Sequence, residues 1–224
     1  MIATQRISAR NLLRETFAAI GSVYIPLLMI ASPSLILGLL NIFAKLGSAG
    51  IALNIIYCFL VVPLCSGAGI LYNYRSLTGN KVTVESAFKQ ANRNVFQLIL
   101  SYIMYALLVM AGLIVLIIPG YYVMFRLTFS LYGTAIDNSS ALDSVSSSWE
   151  LTKGRWWLVF RSGLLNFIVF LLPVTLVLLL IDPTAKSLAA HVASTVLGFL
   201  VGPLMSVYFV LLYLRLRETA ATIK

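Results

Sequence analysis

The side chain best placed to do chemistry is Arg126, a guanidinium about six residues inside the apolar stretch Tyr121–Ile136. A charge at such depth costs roughly 2.5–3.5 kcal/mol on insertion scales unless it is paired or hydrated. Two uses follow from its place in the sequence. It could bind an anion or a lipid phosphate inside a helix bundle. It could instead be a structural clamp, onto backbone carbonyls freed by a proline or onto Asp182, which the hydropathy pattern puts on the same side of a membrane. Other chemistry-bearing residues are sparse. His191 is the only histidine, and a usual zinc site needs three or four ligands. Cys58 and Cys65 stand two helical turns apart in one apolar run, too far for a mutual disulfide, and read as small buried hydrophobes. There is no Walker loop, no dinucleotide fingerprint and no carboxylate pair at catalytic spacing. The sequence therefore predicts no enzyme, no metal site and no cofactor.

The elements that position Arg126 are set by composition. Of 224 residues, 60% are hydrophobic and 10% charged, against roughly a quarter charged in a soluble domain. Apolar runs near residues 23–43, 51–72, 95–118, 121–136, 157–181 and 188–214 approach the roughly 20 residues that cross a bilayer. The expectation is one all-α integral membrane domain over residues 1–224 with six transmembrane helices. The run 121–136 is short and follows Pro119-Gly120, so a re-entrant segment is the alternative there. The first run is too long for a signal-peptide core and reads as a retained helix. Arg6, Arg10, Arg14, Arg75, Lys81, Lys89, Arg93, Lys153, Arg155, Arg215, Arg217 and Lys224 fall on one side of a six-span arrangement, and only Lys45 and Lys186 on the other. By the positive-inside rule both termini and the two long loops are cytoplasmic. The net charge of +9 then serves anionic headgroups rather than nucleic acid.

Segments near 7–20, 84–93 and 141–153 precede the odd-numbered spans and share one pattern. Leu13, Phe17, Ile20, Tyr24 is matched by Val84, Phe88, Ala91, Val95 and by Val145, Trp149, Thr152, Trp156. The spacing i, i+4, i+7, i+11 puts each set on one helical stripe. Thr83 is a candidate N-cap, and Ser140 with Asp143 resembles a capping box. Amphipathic helices of this kind lie in the headgroup plane. Three repeats of a cytoplasmic surface helix plus a helical hairpin are therefore expected. Gly154 would let the chain turn from the third surface helix into the fifth span.

The run Ile118-Pro119-Gly120-Tyr121-Tyr122-Val123-Met124-Phe125-Arg126-Leu127 and the run Ser148-Trp149-Glu150-Leu151-Thr152-Lys153-Gly154-Arg155-Trp156-Trp157 resemble signatures of the glycerophosphoryl diester phosphodiesterase membrane-domain family. The likeness covers Thr83 to the C-terminus and the first third only in outline. It implies a membrane module in a bacterial cytoplasmic or internal energy-transducing membrane. The soluble phosphodiesterase domain of fused relatives has no counterpart in this sequence, so that activity is not implied.

Lys89, Arg93, Lys153, Arg155, Trp156, Trp157 and Arg161 are candidates for interfacial lipid contact, with the tryptophans at the aromatic belt and Arg161 snorkelling back to headgroups. Asp137 and Glu150 could pair with Lys153 or Arg155. Ser194, Gly198 and Gly202 form a small-residue face for helix packing, self-association or a membrane-protein partner. Pro26, Pro33, Pro63, Pro173 and Pro203 fall inside spans, where kinks are common without a further role. Span interiors hold few amides beyond Asn54 and Asn166, which favours a non-catalytic scaffold or accessory subunit over the alternative, a small transporter or channel for an anionic or lipidic solute. A subunit carrying pigment or quinone stays open, since such molecules often need only backbone or apolar contacts.

Overall fold

The computed structural model describes residues 8–44, 47–184 and 187–221. Arg6, Lys45, Lys186 and Lys224, which enter the charge pattern above, and Ile7 lie outside them. Every regular element among the described residues is helical. α1 is Ala9–Ala44, and α2 (Gly47–Ile56) runs through a π turn, Tyr57–Val61, into α3 (Val62–Leu77). α4 (Val84–Arg93), α5 (Val95–Val115), α6 (Ile117–Arg126), α7 (Ser130–Asp137) and α8 (Ala141–Leu151) follow. α9 (Trp156–Asn166) continues through a second π turn, Phe167–Leu171, into α10 (Leu172–Ile181), and α11 is Leu188–Ala221. Among the described residues five runs are long and apolar enough to cross a membrane: 9–44, 49–77, 95–114, 156–181 and 188–221. Ile25, Ile114 and Leu180 are 70%, 81% and 85% exposed on their outer faces. Apolar surface of that extent belongs against lipid rather than water.

Both π turns have the same cause. Pro63 and Pro173 each stand six residues after the start of a π turn. A proline lacks the N–H for its own helical bond and crowds the carbonyl four residues back, and one widened turn relieves both. The prolines of α1 and α11 are accommodated within continuous helix.

The first surface helix expected near 7–20 is not a separate element, because its residues open the unbroken α1. Leu12, Thr16, Val23, Leu27, Ile30 and Leu37 are all buried, one stripe that continues from the start of α1 past its middle. No break is needed to keep that stripe inward. α4 keeps its expected bounds and is capped by Thr83, whose hydroxyl accepts from Ser86 N at 3.2 Å. Its apolar side, however, packs on protein rather than facing acyl chains. Ala87 and Ala91 are 1% exposed and join the core with Val84 and Phe88 beside them. An amphipathic pattern states that one face avoids water, not what covers it. α8 buries Ala141, Ser144, Ser148 and Thr152, a different stripe from the Val145, Trp149, Thr152, Trp156 set, which it shares only at Thr152.

Residues 121–136 are not one helix. α6 ends at Arg126 and α7 begins at Ser130, and the intervening Leu127 and Phe129 are 1% exposed. The pair nevertheless retraces α5. At the turn the backbones nearly touch, since a Cβ on Gly112 would stand 2.9 Å from Gly120 Cα. At the other end Asn94 Nδ2 donates to the Thr134 carbonyl at 3.1 Å, and Ala141 N donates to Gln97 Oε1 at 3.0 Å. The chain thus returns to the level at which α5 began.

Polar contacts gather the loops at one end of the bundle. Arg215 of α11 pairs with Glu15 of α1 at 3.1 Å, and Arg217 pairs with Asp137 of α7 at 3.0 Å. Arg155 donates to the Leu216 carbonyl at 3.1 Å, and Arg75 at the end of α3 bonds Gln90 of α4. The core between these helices includes Val23, Leu71, Phe129, Val159, Tyr208 and Leu212.

Candidate functional site

The last turn of α6 presents Tyr122, Phe125 and Arg126 toward α8 and α9. Ser148 of α8 fixes that turn by donating to the Arg126 carbonyl at 2.8 Å, and the hydroxyl of Thr152, which caps α8, shares its proton between the Ser148 carbonyl at 2.8 Å and the Arg126 carbonyl at 3.1 Å. Ser148 also accepts from Phe129 N at 3.2 Å, so a single hydroxyl bridges the helix break. Ser144, a turn earlier, accepts from Thr134 Oγ1 at 2.7 Å. After α8 the backbone turns at Gly154, whose φ of 70° favours glycine. That turn folds Trp156 back onto α6, 5.5 Å from Tyr122 and 6.5 Å from Phe125 between ring centroids.

Arg126 is 3% exposed. Its guanidinium carbon lies 4.3 Å from the Trp149 ring centroid and 5.8 Å from that of Tyr122. Stacking on aromatic faces suits the planar, weakly hydrated guanidinium and contributes roughly 0.5–2 kcal/mol. No carboxylate among the described residues pairs with it, and its Nε has no hydrogen-bond acceptor. Trp156 Nε1, across the Tyr122 ring, is likewise buried without an acceptor. One aromatic cluster therefore holds a cation and two buried donors that no acceptor among the described residues satisfies. The chemistry such a site can perform is recognition of an anion or an acceptor oxygen.

Other sequence candidates fall elsewhere. Asp182 does not clamp Arg126. It closes the α10–α11 loop, accepting from Thr184 N and Oγ1 at 2.9 and 2.7 Å and from Ser187 N at 2.6 Å. The run from Trp156, beside Arg126, to Ile181 spans 26 residues, roughly 39 Å of helix at 1.5 Å per residue. These contacts also hold the Asp182 carboxyl well below the usual carboxylate range, the Thr184 hydroxyl first and the Ser187 and Thr184 N–H groups after it. Arg126 accordingly stands at the α8 end of the bundle, not at the Asp182 end that the hydropathy pattern suggested.

Lys89, Arg93, Lys153, Trp157 and Arg161 are exposed, and Lys153 reaches Glu150 at 3.5 Å. Arg155 and Trp156 are half-buried and engaged within the fold. Asp137 pairs with Arg217 and not with Lys153 or Arg155. Ser194, Gly198 and Gly202 face outward, and a Cβ on either glycine would meet nothing within 4 Å. The close approach of α1 and α11 is made instead at Gly38, where a Cβ would stand 2.5 Å from Thr195 Cγ2. His191 is spent locally, with Nδ1 2.9 Å from the Ser187 carbonyl. Sequence reasoning missed the partners of Arg126. The available signal was the run Ala141, Ser144, Ser148, Thr152, small and polar residues at helical spacing beside the tryptophans.

A family model described as a domain of unknown function, DUF7847, matches residues 91–216, more than half of the chain. The chain belongs to this family. The DUF7847 match contains every residue of the Arg126 cluster and begins just before α5. No curated protein and no solved structure matches the chain.

Proposed function

We propose that this DUF7847 member is a non-catalytic, multi-pass membrane protein that holds anionic lipid headgroups on its cytoplasmic side and acts as a scaffold or accessory subunit of a membrane complex. The observation carrying this reading is Arg126, a buried cation held between aromatic rings with an unsatisfied Nε and no carboxylate. A phosphate oxygen supplies the missing acceptor. Arg10, Arg14, Lys89, Arg93, Lys153, Arg155, Arg215 and Arg217 belong to helix ends and turns that the polar contacts draw together, a surface suited to anionic headgroups. Six crossings with both termini cytoplasmic fit the return of α6–α7 along α5. On this reading Lys153, Trp157 and Arg161 meet the headgroup layer, and Ser194, Gly198 and Gly202 meet a partner or a second copy. The likeness to the phosphodiesterase membrane-domain family is then one of membrane module only, within a bacterial cytoplasmic or internal energy-transducing membrane.

The test is native mass spectrometry of the full chain from mild detergent after exposure to phosphatidylglycerol or phosphatidylcholine. Wild type is expected to retain the anionic lipid preferentially, and Arg126→Leu to lose that preference while still folding. Equal retention of both lipids by wild type would reject the proposal. The transporter reading places Arg126 on a solute path, whereas the ring-packed setting of Arg126 favours a fixed headgroup contact.

A further inference from the structure

A cavity of about 580 Å³ lies among α1, the α2–α3 run, α7 and α11, and Arg126 is not on its wall. This is the size range of small-molecule sites, which are apolar with a few placed polar groups. Leu27, Ile30, Ile70 and Pro203 form its buried side, while Ser34 and Gly202 are exposed and mark its mouth. The space beside Gly202 is open, since a Cβ there would meet nothing within 4 Å. No Lys, Arg, Asp, Glu or His lines the space.

Its depth follows from the helices around it. The midpoints of the runs 9–44, 49–77 and 188–221 fall at residues 26–27, 63 and 204–205. The lining residues 27–34, 57–70 and 202–206 cluster at those positions. A cavity at mid-length of three spanning helices lies near the bilayer centre, where unsatisfied polar groups find no water. Yet the hydroxyls of Ser66, Tyr132 and Ser206 on its wall donate to no acceptor among the described residues. Ser206 is held in place by accepting from Asn73 Nδ2 at 3.0 Å, which leaves its own proton available.

From the uncharged lining, the depth and the three donors, we infer that this cavity binds a neutral lipid-soluble molecule bearing acceptor carbonyls on an aliphatic chain. Such a carbonyl can come from an isoprenoid quinone or from a lipid acyl ester, and the experiment separates the two.

Cys65 lines the cavity and serves as the reporter in a Cys58→Ala background. The full chain in detergent is alkylated with N-ethylmaleimide in the presence of a short-tailed isoprenyl benzoquinone, a fatty acid methyl ester, or an alkane of equal length. Native mass spectrometry reads the bound molecule directly in parallel. The two carbonyl probes are expected to bind and protect Cys65, the alkane to bind at least tenfold more weakly, and the tighter carbonyl probe to name the source. Ser206→Ala should weaken carbonyl binding about two- to tenfold, the loss of one hydrogen bond. Gly202→Leu should abolish binding by filling the mouth. Alkane binding equal to that of the carbonyl probes, or no probe binding by either readout, would overturn the inference. Ser206→Ala, a one-atom deletion, keeps the test decisive if Gly202→Leu does not fold.

Discussion

The Arg126 guanidinium carbon rests 4.3 Å from the Trp149 ring centroid, and the α8 helix that carries Trp149 also grips the Arg126 carbonyl through Ser148 and Thr152. α8 and its capping residue thus hold both the backbone and the side chain of the same residue. The position of the cation is fixed by the protein itself, which would lower the ordering cost of binding an anion.

Replacing Trp149 with leucine removes the face on which the guanidinium lies. A loss of about 0.5–2 kcal/mol corresponds to roughly 2- to 30-fold weaker anionic-lipid retention. Arg126→Lys is expected to fall in the same range despite keeping the charge, because an ammonium cannot stack as a plane. Lipid titration followed by native mass spectrometry distinguishes both from wild type.

Ser148→Ala and Thr152→Val each remove a hydroxyl that donates to the Arg126 carbonyl. Ser148→Ala also strands the Phe129 N–H, which is buried at the helix break. We expect about 1–3 kcal/mol of destabilisation for Ser148→Ala and less for Thr152→Val, since Ser148 still satisfies the carbonyl. The double substitution should exceed the sum of the two singles, because the last donor is then lost. Reversible unfolding midpoints in mixed micelles measure this.

Close helix approaches separate two kinds of glycine. Gly120→Ala puts a Cβ 2.7 Å from the Leu113 backbone nitrogen and is expected to destabilise the α5–α6 turn strongly. A Cβ at Gly198 meets nothing within 4 Å, and Gly198→Leu should leave the isolated chain as stable as wild type. If the outward face of α11 docks a partner, the same substitution lowers its co-purification. Unchanged recovery of every partner would remove that face from consideration.

Asp182 gives a pH dependence of definite sign. Its folded-state value is held below the ordinary carboxylate value of about 3.9, so its contribution is complete above that pH and is lost as pH falls through the lower folded value. The α10–α11 loop should therefore show constant hydrogen-exchange protection from pH 7 to pH 5. Asp182→Asn should raise exchange at Ser187 across that whole window.

Much of the helix inventory was legible because apolar runs and their interruptions are one-dimensional signals. α4 lies where the spacing of Val84, Phe88 and Ala91 puts it, and the turn at Gly154 follows from a residue type. What covers an apolar face is three-dimensional information. Ala87 and Ala91 therefore pack on protein although their pattern equally fits lipid. The same limit hid the setting of Arg126. Hydropathy assigned depth by counting along an assumed straight span, whereas the break after Arg126 is made by hydroxyls 22 and 26 residues away.

The pairing of α1 with α11 carries a consequence for biogenesis. Tyr24 donates to the Leu200 carbonyl, Gly38 receives Thr195, and Glu15 meets Arg215 across 200 positions of sequence. At about 5–20 residues per second of synthesis, that interval takes roughly 10–40 s. α1 therefore waits in the bilayer, its Tyr24 hydroxyl and the Gly38 surface uncovered, until α11 is made. An insertase or chaperone that shields α1 during that delay would govern the yield of folded protein more than the stability of any single contact.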